Sequence, residues 1–272
     1  MSERKSDKEL AFLRDLYVAT DWGERFAALI DESLKLPEAG RILYVEAGTG
    51  GHAMAIHESA EEGVGMLCVD ESDECLELAA IKSVTMNIEP EFRKVTLDAL
   101  ELRDNQFELV IGDGSLVAPS RLAGMLSEMS RVAAKGGTVI MAAVTASSFG
   151  EFFSVYWEAL QVAGLKIHEA EVEKLVLELP TVAGLEEAAS QAGLKDVVSS
   201  TKPEVFTYES GEEFLNSPLI TDFLLPRWVQ SLPESDHAGV IEHLVRLIDE
   251  ERQDSDFILS IKATVTIGRK AR

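Results

Sequence analysis

Glycines and a carboxylate follow two apolar segments in the first third of the chain. The segment RILYVEAGTGGHA, residues 41–53, reads as a buried strand that runs into a loop containing Gly48, Gly50 and Gly51. Glycine permits backbone turns at positive φ, and it lets backbone amides approach a ligand with no Cβ in the way. Asp70 ends the next apolar segment, some 20 residues on, where an acid can take ribose hydroxyls. This spacing predicts a loop that cradles a nucleotide-like cofactor.

Two further chain segments place small and acidic residues where strands are predicted to end. Asp98 and Ala99 close the third predicted strand, and Gly112 and Asp113 close the fourth, FELVIGD. In an open parallel sheet, ligands bind outside the carboxyl ends of the strands, at the point where the strand order reverses. We therefore expect these residues to converge with the glycine loop.

The elements that must position these residues alternate between strand and helix. The apolar segments are short and near-continuous, as in a parallel sheet that is covered on both faces. This alternation favours a doubly wound α/β sheet with right-handed crossovers. Strands are predicted at 41–47, 64–70, 92–99, 107–113, 137–144, 196–208 (interrupted near Pro203) and 256–268, and helices at 8–35, 51–62, 72–83, 119–137, 152–165 and 185–194.

Four regions follow from this pattern. We predict an N-terminal helical cap over residues 1–40, a Rossmann-like core over 41–208, and a helical insertion over 209–252 that acts as a lid or a dimer contact. Residues 253–272 then supply the last strand of the core. Aromatic residues after the fifth strand could line a substrate pocket or pack in the core at helical spacing: Phe149, Phe152, Phe153, Tyr156 and Trp157, with Phe223 and Trp228 in the insertion.

Composition narrows the choice of partners. The 272 residues include 48 acidic and 25 basic side chains, giving a net charge of −23, which repels phosphate backbones and anionic lipid surfaces. The chain begins with a charged segment that lacks a secretory h-region, and its apolar runs are too short to span a bilayer. Two cysteines and five histidines without ligand spacing predict no disulfide framework and no metal site. We expect an acidic cytoplasmic protein that binds neither nucleic acid nor an integral membrane partner.

With these residues in view, the chain resembles the class I S-adenosylmethionine-dependent methyltransferases, and within them the ubiquinone and menaquinone methyltransferase-like group. The resemblance covers residues 40–145 and rests on RILYVEAGTGGHA, LCVDES, TLDALEL, FELVIGDGSL and SRVAAKGGTVIM. It implies a seven-stranded Rossmann-like sheet with helices on both faces, N-terminal helices and a helical insertion before the last strand. It also implies that S-adenosylmethionine is bound by residues drawn from the cap and the strand ends: Tyr17, Glu46, Ala47, Gly48, Gly50, Asp70, Glu71, Asp98, Ala99, Gly112 and Asp113.

Three positions depart from that family's pattern. Tyr44 stands where an acid is expected, Glu46 where the first glycine is expected, and Glu71 where an apolar residue packs on adenine. In one hypothesis the carboxylate has moved, and Glu46 pairs with the methionine ammonium of the cofactor. In the other, Glu46 fills the methionine pocket and repels the cofactor's carboxylate.

The resulting prediction is a methyltransferase for a small-molecule acceptor, with a homodimer as its assembly. The alternative is a non-catalytic protein of the same fold, a binding or assembly module whose cofactor loop is closed by Glu46. The catalytic residue is not identified, although Asp113 is a candidate, and His52 could accept a proton or simply occupy the first turn of its helix. Methyl transfer to small molecules needs little beyond positioning of the reacting groups.

Overall fold

Seven strands form a single sheet of order β3-β2-β1-β4-β5-β7-β6 in the computed structural model, which describes residues 5–252 and 255–272. The strand order reverses between β1 and β4, as in Rossmann-like methyltransferases, and the predicted fold class is confirmed. The strands are β1 Arg41–Val45, β2 Gly65–Asp70, β3 Glu91–Lys94, β4 Phe107–Asp113, β5 Ala133–Thr145, β6 Leu194–Tyr208 and β7 Phe257–Lys270.

Helices precede the sheet, connect its strands and fill the segment before β7. Two stretches are π-helical, Arg14–Gly23 and Leu219–Leu224, and a short 3₁₀ turn covers Lys166–His168. The α-helices are α1 Asp7–Leu13, α2 Glu24–Asp31, α3 Gly51–Ser59, α4 Asp73–Met86, α5 Pro119–Val132, α6 Gly150–Val162, α7 Glu169–Glu178, α8 Val182–Gln191, α9 Gly211–Asn216, α10 Leu225–Trp228 and α11 Glu234–Arg252.

The chain divides into two compact units. One consists of residues 5–143, 181–202 and 263–272, and its apolar core is built mainly from β1, β2, β4, β5 and α5. The other contains residues 144–180 and the described part of 203–262, and its interior is rich in aromatic side chains. The predicted borders at 40, 208 and 252 remain predictions.

Parallel pairing brings the expected site residues to one edge of the sheet. β1 pairs in parallel with β2 on one side and with β4 on the other, so that Val45 lies opposite both Val69 and Gly112. The residues that follow these partners, Glu46, Asp70 and Asp113, therefore emerge side by side. β1 is almost entirely buried because helices cover both faces of a parallel sheet, which explains its continuous apolar run.

The helix predicted over 119–137 is wrong at its end. α5 ends at Val132, and residues 133–137 already belong to β5, with a register shift opposite Phe107 and Leu109. A Cβ on Gly137 would lie 2.9–3.1 Å from three backbone carbonyl oxygens, so this glycine permits a close approach within the sheet. The paired glycines thus mark a β-bulge rather than a helix stop.

Other boundaries differ from the prediction for local reasons. β3 ends at Lys94, and its predicted second half forms a tight turn with a bridge between Thr96 and Ala99. α3 ends at Ser59, before the predicted end at residue 62. β6 continues through Pro203 without a break, since it is an edge strand where proline's missing N–H is tolerated. α7 was not predicted at all.

Candidate functional site

A cavity of about 440 Å³ lies where β1 and β4 end, within the first unit. Its wall combines the glycine loop, the end of β4 and one side of the N-terminal π-helical segment. The lining residues include Arg14, Asp15, Val18, Trp22, Tyr44, Glu46, Ala47, Gly48, Thr49, Gly50, Gly51, His52, Lys82, Asp113 and Leu116. Its volume lies in the range of small-molecule and cofactor sites, about 300–1,000 Å³.

The loop after β1 is held from beneath by Asp70. This carboxylate is 1% exposed, and it accepts hydrogen bonds from the amide of Gly48 at 2.7 Å and from that of Ser72 at 2.9 Å. Gly48 and Gly50 both have positive φ, and a Cβ on Gly50 would lie 2.8 Å from the Cβ of Ala79. The loop therefore requires glycine at these positions, and Asp70 fixes its shape from inside the protein.

Glu46, at the start of the loop, pairs with Arg14 of the π-helical segment. The guanidinium Nη2 lies 2.9 Å from the carboxylate Oε1, and Nη1 lies 3.7 Å from the carboxylate of Asp70. Burial is the main cause that raises the pKa of Glu46, to about 7, and the negative charges of Asp70 and Asp113 raise it as well. Arg14 acts in the opposite direction and lowers it. Burial alone would lower the pKa of Arg14, but the carboxylates of Glu46 and Asp70 raise it further, so Arg14 stays charged.

The raised pKa of Glu46 gives the folded protein a measurable pH dependence. Because the folded-state pKa of about 7 lies above the ordinary 4.5, the folded protein binds the proton of Glu46 more tightly than the unfolded chain does. This proton binding stabilises the folded state fully below about pH 4.5, and the stabilisation is lost as the pH rises through 7. We expect Glu46→Gln to match the wild type near pH 4.5 and to be more stable at pH 8 by up to about 3 kcal/mol. Urea unfolding at both pH values measures this, and the exposed Glu58→Gln on α3 is the control. Equal unfolding free energies for Glu46→Gln and wild type at pH 8 would contradict it.

Further polar contacts fasten the N-terminal segment over the cavity. Asp15 accepts a hydrogen bond from the hydroxyl of Thr49 at 2.6 Å and also pairs with Lys82 of α4. The indole Nε1 of Trp22 donates to the hydroxyl of Ser115 at 2.9 Å, inside the protein. The segment is thus tied to the glycine loop, to α4 and to the loop after β4.

A second hydrogen-bonded chain runs from the cavity outward. The hydroxyl of Tyr44 lies 2.9 Å from Nδ1 of His52, and Nε2 of His52 lies 3.0 Å from Oδ1 of Asp31. Tyr44 is 3% exposed, whereas the side chain of Asp31 is 54% exposed. Burial raises the pKa of Tyr44 well above its ordinary value, so the phenol remains protonated.

A separate ion-pair cluster covers the side of the sheet beyond β2. Arg121 of α5 donates to both carboxylate oxygens of Glu71 at 2.7 and 2.8 Å, and to Asp98 at 2.8 Å. Hydrogen bonds from Arg121 lower the pKa of both acids, so both remain ionised. The three side chains are each about one-third exposed or more, and a pair at the surface adds only about 0–1 kcal/mol to stability. This cluster can therefore rearrange at low cost.

The structure brings together only part of the predicted site. Glu46, Ala47, Gly48, Gly50 and Asp113 line the cavity. The other predicted residues are not in its wall: Tyr17 is 56% exposed, Asp70 lies beneath the loop, Glu71 and Asp98 pair with Arg121, Ala99 is exposed, and Gly112 is packed against Met125 and Met129 of α5.

Several cavity residues were not anticipated from the sequence. Arg14, Asp15 and Trp22 lie in a segment that reads as an ordinary amphipathic helix, and Lys82 lies on a helix without motif character. The π-helical winding of Arg14–Gly23 puts three of these on the cavity side, and such windings are frequent at functional sites. No periodicity in the sequence distinguishes a π-helix from an α-helix at this position.

The remaining sequence predictions concern the cysteines and membranes. Cys68 and Cys75 are both buried free thiols. Among the helices of residues 5–252 and 255–272, none is long and apolar enough to cross a membrane.

Comparison with known proteins finds a family match for the part of the chain that contains the glycine loop. Residues 42–137 match the family described as a methyltransferase domain, whereas no curated protein matches the chain. The YcgJ protein of Bacillus subtilis has a similar solved structure, with a TM-score of 0.61 at 16% identity over 92% of this chain and 99% of that one. Phosphoethanolamine N-methyltransferase 2 of Haemonchus contortus was solved with phosphomonomethylethanolamine and S-adenosylhomocysteine. It has a TM-score of 0.56 at 15% identity, over 100% of this chain and 59% of its own. The [4+2]-cyclase SpnF has a TM-score of 0.52 at 18% identity, over 91% of this chain and 80% of the cyclase.

Proposed function

We propose that the protein transfers a methyl group from S-adenosylmethionine to a small-molecule acceptor, because residues 42–137 match the methyltransferase domain family. The observation that carries this proposal is the cavity at the reversal of strand order, with the glycine loop in its wall. The fold alone does not decide the reaction, since one fold hosts many chemistries, so the argument depends on the residues of the cavity.

The charged residues of the cavity fit the amino-acid end of that cofactor. S-adenosylmethionine supplies an electrophilic methyl group on a sulfonium sulfur, and its methionine end carries one ammonium and one carboxylate. Glu46 and Arg14 face each other at 2.9 Å in the cavity wall, one anion and one cation. We propose that Glu46 pairs with the ammonium and Arg14 with the carboxylate, so that each exchanges its present partner for a ligand group.

The nucleoside end is proposed to lie toward β2 and β3. Asp70 supports the loop there, and Glu71, Asp98 and Ala99 follow the ends of these strands. Arg121 forms ion pairs with both Glu71 and Asp98. Adenine would therefore bind either after these ion pairs break or by packing against the paired side chains. Tyr17 remains a proposed outer contact, and Gly112 a proposed support for Asp113.

The acceptor is proposed to be small and uncharged or cationic. The cavity volume of about 440 Å³ would have to hold both the donor end of the cofactor and the acceptor, which favours a small acceptor. The net charge of −23 disfavours polyanions, and nucleic acid is therefore not proposed as a partner. Cytoplasmic location, and a homodimer formed through residues 209–252, remain proposals.

The alternative function is a non-catalytic binding or assembly module. The Arg14–Glu46 pair favours it, because the pair fills space beside the loop: a Cβ on Gly48 would lie 3.1 Å from the Arg14 guanidinium. If the pair does not open, the methionine end has no place to bind.

Calorimetric titration of S-adenosylmethionine and S-adenosylhomocysteine separates the two proposals. Methyltransferase function predicts micromolar binding by the wild type, and methionine or adenosine alone should bind at least tenfold more weakly because each occupies only one part of the site. Glu46→Gly is the informative variant, since residue 46 has φ +59°, a conformation that glycine adopts without strain.

Either result for this variant is decisive. Weaker binding by Glu46→Gly than by the wild type supports a carboxylate that holds the ammonium. Binding by Glu46→Gly and not by the wild type would show that Glu46 closes the loop, and the module would then replace the enzyme as the function.

A further inference from the structure

Tyr44, His52 and Asp31 form a continuous hydrogen-bonded chain between the cavity and solvent. Tyr44 and His52 both line the cavity, and Asp31 at the other end of the chain is mostly exposed. Three elements supply the chain: the end of α2, the carboxyl-terminal part of β1 and the first turn of α3. A backbone carbonyl would be enough to accept the hydrogen bond of a buried phenol. Here the partner is an imidazole, a group that can bind and release a proton near neutral pH.

The chemistry of the three groups fixes the direction of each hydrogen bond. An ionised Asp31 only accepts, so Nε2 of His52 must carry the proton that it donates at 3.0 Å. Nδ1 of the neutral ring is then an acceptor, and the protonated Tyr44 hydroxyl donates to it at 2.9 Å. Every proton in the chain therefore points outward, from the cavity toward solvent.

We propose that Tyr44 and His52, oriented by Asp31, form a proton relay that removes a proton from the methyl acceptor. The proposal rests on the proposed methyltransferase function and narrows its substrate class to acceptors whose nucleophilic atom has both a lone pair and a proton to lose, such as a hydroxyl or a neutral primary or secondary amine. It also gives a role to Tyr44, which stands at the position where an acid is expected.

The transfer balances without any further reactant. As the acceptor atom bonds to the methyl carbon, the carbon–sulfur bond breaks and its electron pair goes to sulfur. The acceptor's proton passes to the oxygen of Tyr44, while the proton of Tyr44 passes to Nδ1 of His52. The resulting imidazolium is stabilised by Asp31 and releases its Nε2 proton to water at the exposed end of the chain, which leaves an Nδ1–H ring. Proton exchange with water then restores the Nε2–H form that Asp31 favours before the next turnover.

Other charged groups act on the relay from the elements packed around it. Asp113 on β4 and Asp31 on α2 disfavour a negative charge on Tyr44, whereas Arg14 favours one. Concerted passage of the proton avoids a tyrosinate, which this negative surrounding would oppose. The titratable and charged groups that act on Tyr44 are Asp31, Asp113, Cys68 and Arg14. Those that contact His52 are Asp31 and Tyr44.

The test uses nuclear magnetic resonance of the whole protein without any ligand. Long-range ¹H–¹⁵N spectra report the tautomer of His52, assigned by its loss in His52→Gln, and ¹³Cζ-labelled tyrosine reports the hydroxyl of Tyr44. We expect the Nε2–H tautomer at pH 8. As the pH falls, Nδ1 should gain a proton and the Tyr44 signal should shift at the same pH, because the bond between them reverses.

Variants separate a relay from a merely structural contact. Asp31→Asn and Tyr44→Phe should each raise the fraction of the Nδ1–H tautomer of His52 at pH 8, because each removes a partner that holds the ring in its Nε2–H form. Asp21→Asn, another exposed acid of the same N-terminal region, should leave that fraction unchanged.

Two results would overturn the relay. One is a wild-type His52 with Nδ1 protonated at pH 8, because it could not accept from Tyr44. The other is a Tyr44 signal that does not respond when His52 becomes charged. Neither depends on the cofactor: absence of S-adenosylhomocysteine binding would remove the proposed methyltransferase function, whereas the wrong tautomer would remove the relay and leave cofactor binding intact.

Discussion

Glu46→Gln is expected to weaken the binding of S-adenosylhomocysteine about 100-fold at pH 8. The variant removes the carboxylate charge that is proposed to pair with the ligand's ammonium. Loss of one partner of a buried ion pair costs about 3–5 kcal/mol, so a 100-fold loss, about 2.7 kcal/mol, is the lower end of what we expect. In the wild type, the carboxyl must be ionised to pair with the ammonium. Because burial holds its pKa at about 7, we expect affinity to rise about tenfold between pH 6 and pH 8.

The control is again Glu58→Gln, which removes one exposed carboxylate from the same helix that follows the loop. It should bind as tightly as the wild type and keep the pH dependence, whereas Glu46→Gln should lose both. Unchanged affinity in Glu46→Gln, with the pH dependence intact, would place the ammonium elsewhere and contradict the proposed pairing.

Glu46 is therefore expected to weaken folding and to strengthen binding. It holds a left-handed backbone conformation, φ +59°, which costs a residue other than glycine about 1 kcal/mol or more. Its carboxyl also has to ionise inside the protein above pH 7, beside Asp70 and Asp113. A residue that strains the backbone and opposes folding is a typical feature of functional sites, where stability and activity trade off. This is the physical argument for preferring a working loop over a closed one.

The sheet and the loop could be predicted because their signals are local. Continuous apolar segments that end in glycine or an acid gave β1, β2 and β4 with small errors, and β4 was predicted over its observed length, Phe107–Asp113. Parallel pairing then places their ends together by geometry alone, which is why Glu46 and Asp113 share one cavity. Strand period and glycine conformation depend on neighbouring residues, so one sequence is enough to read them.

The partners of these residues could not be predicted because they come from distant segments. Arg14 meets Glu46 across 32 positions, and Arg121 meets Glu71 across 50. Asp70 binding to ribose stays a prediction, and its side chain turns under the loop to accept a hydrogen bond from the Gly48 amide, a contact that was not predicted. The direction of this side chain is set by tertiary packing, and no local pattern encodes it.

The aromatic residues after β5 were the other open alternative, and the structure favours a core over a pocket. Phe149, Phe152, Phe153 and Tyr156 are each at most 5% exposed, and Trp228 joins them from the insertion. The Phe152 ring stacks on Trp228 with centroids 4.2 Å apart, and it also contacts Tyr156 at 5.6 Å and Phe214 at 5.7 Å. Trp157, one residue further along α6, is 46% exposed and does not take part.

Phe152→Ala is accordingly expected to destabilise the protein by about 4 kcal/mol. The removed ring leaves a cavity that close-packed aromatic neighbours cannot fill, and each lost ring pair adds about 0.5–1.5 kcal/mol to the cost of truncation. For a chain of this length the melting temperature should fall by about 10 °C.

Trp157→Ala, the control, truncates a larger side chain on the same helix and should cost less than about 1 kcal/mol, because that side chain is already about half exposed to water. Thermal unfolding followed by circular dichroism compares the two variants. If Phe152 instead lined a substrate pocket, its truncation would leave the melting temperature close to that of Trp157→Ala, since a ring facing an open cavity has few packed neighbours to lose.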